Sequence, residues 1–217
     1  MRGLLSLLVV AAVGLSGVAP RAGQATNPTA PELAARLQTR YESIRDFTAD
    51  FSQTYRGVLN RKATTERGKV LLKKPNRVRF TYESPEQKVF VSDGATFRSY
   101  YKEDRAGSEY PLPKDNEAST ALLFLAGRGN LARDFTPAIA DGAPATEWRL
   151  GLVPKTKQTD FDTLMLVIDR RTLALLGFET TDAQGTNSIR FENLKENTGI
   201  PDNAFVFKFP PGTAISR

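Results

Sequence analysis

The residue types that most often do chemistry are scarce in this chain. Its 217 residues include no His and no Cys. That removes the commonest general base, the commonest metal ligand, the thiolate nucleophile, disulfides and a lipid-modified N-terminal Cys. Carboxylates, Lys, Tyr and Ser remain. Two spacings among them could act. Ser99-Tyr100-Tyr101-Lys102 matches S-x-x-K, in which a Lys one helical turn beyond a Ser reaches its hydroxyl. Asp160 and Asp162 could share one face as the carboxylate pair that glycoside hydrolysis uses. Neither carries the chemistry. Ser99 and Lys102 fall in a run that reads as a strand, where positions three apart point to opposite faces. The aspartates flank a strand start, and no further group supports the pairing. Gly127-x-Gly129-x-x-Ala132 resembles a dinucleotide fingerprint, but it follows a helical run instead of a strand and reads as a helix stop. The residues therefore point to binding, with no catalyst, metal or cofactor expected.

A run of bases, Arg67, Lys69, Lys73, Lys74, Arg77 and Arg79, surrounds one expected hairpin in a chain of formal net charge +6. Such a run is ordinarily a solvated sheet face. The functional option is an electropositive patch that meets an acidic partner or a membrane surface. Nucleic acid is not expected, because aromatic-rich basic repeats are missing and the chain reads as exported.

The export reading comes from the first residues. Arg2 precedes an apolar run from Leu4 to Leu15, interrupted by Ser6 and Gly14. The run is short of the ~20 residues that span a bilayer. Gly23-Gln24-Ala25 is the cleanest small-x-small cleavage site, so residues 1–25 read as a signal peptide and 26–217 as a single domain.

The elements that must position any site are mostly strands. Thr29 and Glu32 have capping-box spacing, and Leu33, Leu37, Tyr41 and Ile44 then recur at helical spacing. From Phe47 the period becomes two. Strands are expected around Phe47–Ser52, Gly68–Lys73, Arg77–Tyr82, Val89–Val91, Phe97–Tyr101, Trp148–Leu152, Leu164–Ile168, Leu173–Thr180 and Ser188–Leu194. Phe205, Phe207 and Phe209 alternate as a further strand up to Pro210-Pro211. A second helix is expected over Ala118–Ala126, and one more turn around Leu131–Phe135. No βαβ repeat is present, so the sheet should be antiparallel. The expected class is mainly β with helices (α+β). It is an incomplete antiparallel barrel of about ten or eleven strands, covered by an N-terminal helix and a mid-chain lid helix. Leu122, Leu123, Phe124 and Leu125 leave that lid little polar face, so it must cover something, and an apolar cavity is the expectation. The plainer reading of the same stripes is a filled core between sheet and helix.

The order of segments resembles the periplasmic outer-membrane lipoprotein carrier family (LolA). The matching stretches are Ile44-Arg-Asp-Phe47-Thr-Ala-Asp-Phe51-Ser-Gln53, Gly68-Lys-Val-Leu-Leu-Lys-Lys74-Pro75-Asn76, Tyr82-Glu-Ser-Pro85, Val91-Ser92-Asp93-Gly94 and Phe205-Val-Phe207-Lys-Phe-Pro-Pro211-Gly212. The resemblance implies a monomeric carrier and no enzyme. It implies partners too: acylated lipoproteins as cargo, an ATP-driven inner-membrane release complex and an outer-membrane acceptor. The match around Pro75 implies that Val78 and Phe80 line the cavity, and Phe90 likewise. Leu122, Phe124 and Leu125 fall in the lid-helix region. In this family an Arg at the position of Lys74 latches the lid helices by hydrogen bonds. Lys74 lacks the planar fork of a guanidinium, so its latch would be less fixed in geometry. The acceptor of that system is itself a lipoprotein, a role that a chain without Cys cannot take. A related-fold periplasmic lipid sensor remains the alternative, although such sensors usually carry a second domain.

Overall fold

The computed structural model describes residues 27–59, 62–112, 129–157 and 161–217. The expected signal peptide (1–25), the lid helix Ala118–Ala126 and Asp160 lie outside them. Helix α1 (Ala30–Glu42) begins as its sequence dictates. The Thr29 backbone N–H donates to Glu32 Oε2 at 2.8 Å, and the Glu32 N–H donates to Thr29 Oγ1 at 3.4 Å. Pro31 occupies the first turn, where no backbone donor is needed. Its buried stripe is Leu33, Ala34, Leu37 and Tyr41.

Among the described residues, twelve strands follow in one sheet. They are β1 (Asp46–Gly57), β2 (Thr64–Lys73), β3 (Arg77–Ser84), β4 (Lys88–Asp93), β5 (Thr96–Tyr101), β6 (Ala106–Pro111), β7 (Phe135–Ile139), β8 (Glu147–Pro154), β9 (Thr163–Asp169), β10 (Leu175–Thr181), β11 (Gly185–Glu196) and β12 (Ala214–Ser216). A single turn of helix, α2 (Leu131–Asp134), precedes β7, and a 3₁₀ turn (Asp202–Phe205) follows β11. The strand order is β12-β6-β5-β4-β3-β2-β1-β11-β10-β9-β8-β7. Every pair is antiparallel except β12 with β6. The sheet does not close, since β12 and β7 end it. This is the incomplete barrel with a helix over it. No helix among the described residues is long and apolar enough to cross a membrane.

Register decides which side chains share the face under α1. Phe47 pairs with Leu72 and Leu72 with Val78, while Ala49 pairs with Val70 and Val70 with Phe80. On the other side of β1, Phe51 pairs with Phe191, and Phe178 with Leu166. Because alternate residues share a face, these form one inner surface. Its densest part lies beneath α1 and α2, where Leu131, Phe135, Leu150, Leu152 and Leu166 are buried. Burying each such side chain contributes roughly 1.5–3 kcal/mol.

Three short strands were not expected: β6, β7 and β12. The turn around Leu131–Asp134 is present, but Phe135 opens β7. Phe205–Phe209 is not a strand. Phe205 closes the 3₁₀ turn, and the chain then runs across the outer face of β4–β6 without pairing. Phe207 and Phe209 meet Tyr100 with ring centres 5.8 and 6.5 Å away. Gly107 of β6 makes the crossing possible, since a Cβ there would fall 2.5 Å from Phe209 Cε1. The alternation of Phe with Val and Lys is thus that of a strap with one face on a sheet, and such a strap has the same period as a strand.

The strap also engages part of the basic run. Lys73 Nζ lies 2.6 Å from Asp202 Oδ1 and donates to the Ile200 carbonyl at 2.7 Å. Arg77 reaches Asp202 at 3.4 Å, and Arg79 Nη1 donates to the Ala204 carbonyl at 3.1 Å. Lys69 pairs with Asp50 at 2.8 Å. These cations hold the C-terminal segment and its neighbours on the outer face.

Candidate functional site

The inner face of β1–β6 carries a continuous strip of aromatic rings. Phe51 of β1 meets Phe80 and Tyr82 of β3 edge-to-face, with centres 5.2 and 4.9 Å apart. Between them in register lies Gly68 of β2, opposite both Phe51 and Tyr82. Without a side chain at that position the rings touch across it. Tyr82 meets Phe90 of β4 at 5.4 Å, Phe90 meets Phe97 and Tyr101 of β5 at 6.3 and 5.8 Å, and Phe97 meets Tyr110 of β6 at 5.3 Å. From Tyr82 onward each step joins facing or diagonal positions of neighbouring strands, where cross-strand aromatic pairs stabilise a sheet.

Exposure rises along the strip. Phe51 and Tyr82 are buried, Phe80, Phe90 and Phe97 are half-buried, Tyr101 is 38% exposed and Tyr110 47%. Helix α1 packs chiefly against α2, β7 and β8, at the other end of the sheet.

Polar groups border the strip at one end and are mutually satisfied. The Tyr82 hydroxyl donates to Gln53 Oε1, and Gln53 Nε2 donates to Asn187 Oδ1 at 2.9 Å. Burial, then the nearby Glu66, pushes the Tyr82 hydroxyl up, so it stays a neutral donor. Lys88 Nζ pairs with Glu66 Oε1 at 2.6 Å and lies 4.6 Å from the Tyr82 ring centre. Further along, Ser99 Oγ and Ser108 Oγ lie 2.8 Å apart. The strip therefore offers apolar π-surface with a mutually satisfied polar border.

Of the expected site residues, Val78, Phe80 and Phe90 come together on this face. Phe80 and Phe90 are direct cross-strand partners, and Val78 faces Ser92. Leu122, Phe124 and Leu125 lie outside the described residues. Lys74 follows β2. Its backbone N–H donates to the Arg45 carbonyl at 2.9 Å, and its ammonium donates to the Tyr41 carbonyl in the last turn of α1. The same ammonium sits 3.7 Å from the Tyr41 ring centre. A cation at a helix C-terminus is favourable, because the unpaired carbonyls there carry partial negative charge. Burial pushes this ammonium down to about 8, and Glu42 pulls the other way.

Sequence reasoning missed Phe97, Tyr101 and Tyr110 as members of the strip. The signal existed in the alternation of Phe97, Ser99 and Tyr101, but it became legible only once β6 was placed. The rejected catalytic pair stays apart. Ser99 faces Ser108 on the inner face, whereas Lys102 Nζ donates to Gln87 Oε1 at 2.6 Å. Of the expected helix stop, Gly127 lies outside the described residues, and the Gly129 carbonyl accepts from Gln38 of α1 at 3.3 Å.

An open antiparallel half-barrel with an aromatic inner face and a helix over one half defines a binding shell. The comparisons agree. The family model described as outer membrane lipoprotein carrier protein LolA matches residues 42–208. The chain belongs to that family. It is 28% identical over 206 residues to an outer-membrane lipoprotein carrier protein of Chromohalobacter salexigens, covering 95% of each chain. It is 25% identical over 213 residues to the protein of the same description in Pseudomonas putida, covering 98% of each. Among solved structures it resembles an uncharacterized conserved protein from Thermus thermophilus, with a TM-score of 0.54 at 12% identity over 85% of this chain and 98% of that one. That last likeness concerns the fold alone.

Proposed function

We propose that this protein is a periplasmic carrier that shields the acyl chains of lipoproteins against the inner face of β1–β6. It accepts them from an ATP-driven inner-membrane release complex and hands them to an outer-membrane acceptor. The observation that carries the reading is the aromatic strip, which grades from buried at Phe51 to half-exposed at Tyr110. Acyl chains gain ~0.8 kcal/mol per buried CH₂, so an unshielded lipoprotein inserts into a membrane or aggregates. A π-rich face holds such chains without directional bonds, so they slide in and out. Val78, Phe80 and Phe90 would line the cavity, Leu122, Phe124 and Leu125 would cover it, and Lys74 would be the latch. Residues 1–25 would direct export and be removed. Transfer runs down a gradient of affinity and needs no cofactor.

The test is a release assay. Protein from Thr26 onward is mixed with inner-membrane vesicles that carry an acylated lipoprotein, the release complex and ATP. Gel filtration should show a soluble one-to-one complex with acylated cargo and none with unacylated cargo. A folded protein that forms no complex would favour a lipid sensor or a filled-core module of the same fold.

A further inference from the structure

We infer that the ion pair Glu66–Lys88 is the seat for the neutral ester or amide group at the root of a bound acyl chain. The inner face thereby selects lipids whose chains are joined through an uncharged linkage. The inference rests on the carrier reading and adds where the polar root of the cargo sits. Alternate residues of a strand share a face. Along β1–β6, the positions in phase with Phe51, Phe80 and Phe90 include two charged residues, Glu66 and Lys88. Lys88 stands directly opposite Tyr82 on one side and Tyr101 on the other. Its ammonium reaches across β3 to Glu66 of β2, 2.6 Å away, and lies 4.6 and 5.9 Å from the centres of the Tyr82 and Phe90 rings. The pair is thus laid on the aromatic strip itself, with the Lys88 side chain 14% and the Glu66 side chain 21% exposed. Stability is a weak reason for ions at such a place, since well-packed apolar residues of similar volume do as well or better.

The chemistry of the pair selects its ligand. An ammonium carries several donors and a carboxylate several acceptor positions, so their mutual contact leaves capacity on both. The pair therefore donates and accepts at one point while carrying no net charge. An ester carbonyl accepts from Lys88. An amide carbonyl does the same, and the amide N–H can donate to Glu66. A free carboxylate at this place meets Glu66, and a free amine meets Lys88. Each must break the pair or face a like charge on a surface of rings, where water screens little. The neighbouring polar groups are committed to one another, the Tyr82 hydroxyl to Gln53 and Gln53 Nε2 to Asn187, and they hold the wall of the seat in place. From the seat the chain runs onto Phe90, whose ring meets Phe97 on the next strand.

The test is competition against one fluorescent acyl probe on the chain from Thr26 onward. The competitors are lauric acid, its monoglyceride, its amide and dodecylamine, all below their micelle concentrations. The ester and the amide should displace the probe at lower concentration than the acid or the amine. Glu66→Gln should improve the acid about tenfold and not the amine, because Lys88 is then an unpaired cation. Lys88→Met should improve the amine by a similar factor and not the acid. The double variant Glu66→Gln/Lys88→Met leaves no unpaired ion, which guards against a single variant that folds poorly. It should bind the ester and the amide about threefold or more weakly. A triacylated lipopeptide and a diacylglycerol, both uncharged at the root, then identify the source. The lipid that loses affinity in the double variant is the one seated there, and loss by neither overturns the proposal. An unchanged order of competitors in both single variants also overturns it, because the pair then only ties β2 to β4. A probe that binds no form would overturn the carrier reading and this inference with it, whereas a bound probe with an unchanged order overturns this inference alone.

Discussion

The Lys74 ammonium lies 3.7 Å from the centre of the Tyr41 ring and donates to the Tyr41 carbonyl, so one side chain ties the segment after β2 to the last turn of α1. Helix α1 lies on the far half of the sheet, yet its C-terminus reaches across to this corner. If α1 and the inner face separate when cargo enters, this contact must break. Lys74→Leu keeps an apolar side chain but removes the donor and the charge. It should change the rate of cargo release to acceptor membranes while the fold persists, because the lost contacts, about 1–2 kcal/mol, are offset by relief of the cost of burying the charge. Lys74→Arg should restore the rate. An unchanged transfer rate in Lys74→Leu removes the residue from the mechanism.

The same contact makes a pH dependence. Burial holds the native ammonium down to about 8, whereas an unfolded Lys titrates near about 10.4. Between these values the unfolded chain binds more protons than the native one, so stability rises with pH through that window. Below it both states are charged, and the native state bears the full cost of burying the charge. Glu42 opposes the shift, and Tyr41 stays protonated because burial and Glu196 push its hydroxyl up. Lys74→Met should flatten the rise of the urea midpoint from about pH 8 to about pH 10.4. A parallel curve for the variant would assign the rise to other groups.

Much of the frame was readable because period and chemistry coincide. The capping box at Thr29, the stripe Leu33–Leu37–Tyr41 and the alternation from Phe47 each had one reading, and each holds. The losses have physical reasons. β6 is Ala-Gly-Ser-Glu-Tyr-Pro, with no alternation to read, because Ser108 and Gly107 serve close contacts with Ser99 and Phe209. β7 contains Pro137, which an edge strand tolerates because one side needs no donor. Phe80 and Phe90 were expected on the inner face from the family match around Pro75, and the register makes them direct partners there. The outer members of the aromatic strip needed the register of β5 with β6, which local periodicity does not encode. Within the basic run, Lys73 and Arg79 meet Asp202 and the Ala204 carbonyl, which lie more than a hundred residues away.

The strip makes a graded prediction about cargo. Phe90 contacts Tyr82, Phe97 and Tyr101 and lies near its middle. Phe90→Ala should weaken binding of a fluorescent acyl probe by about tenfold or more, as expected for losing one buried ring. Phe90→Leu should keep most of the affinity, because hydrocarbon contact is what an acyl chain needs. If Leu fails as badly as Ala, ring geometry rather than apolar area sets recognition. If neither weakens binding, the acyl chains sit elsewhere on the inner face.

The strap on the outer face should govern stability without touching cargo. Phe205 is fully buried against Val91 and Ile200, with Leu71, Val89, Ala204 and Phe207 around it, a cluster separate from the main core. The buried Asp46 carboxylate anchors the start of the strap by accepting from the Thr198 and Gly199 backbone N–H groups at 2.7 and 3.2 Å. Phe205→Ala should cost about 3–5 kcal/mol, and β4 and β5 should lose hydrogen-exchange protection before β8 and β9, which the strap does not cross. The inner face of β3 and β4 belongs to the opposite side of the same strands. Acyl-probe affinity of the folded fraction should therefore stay unchanged at low temperature. An affinity that falls together with stability would mean that the strap sets the curvature of the strands beneath the aromatic strip, and the two faces would then be one mechanical unit.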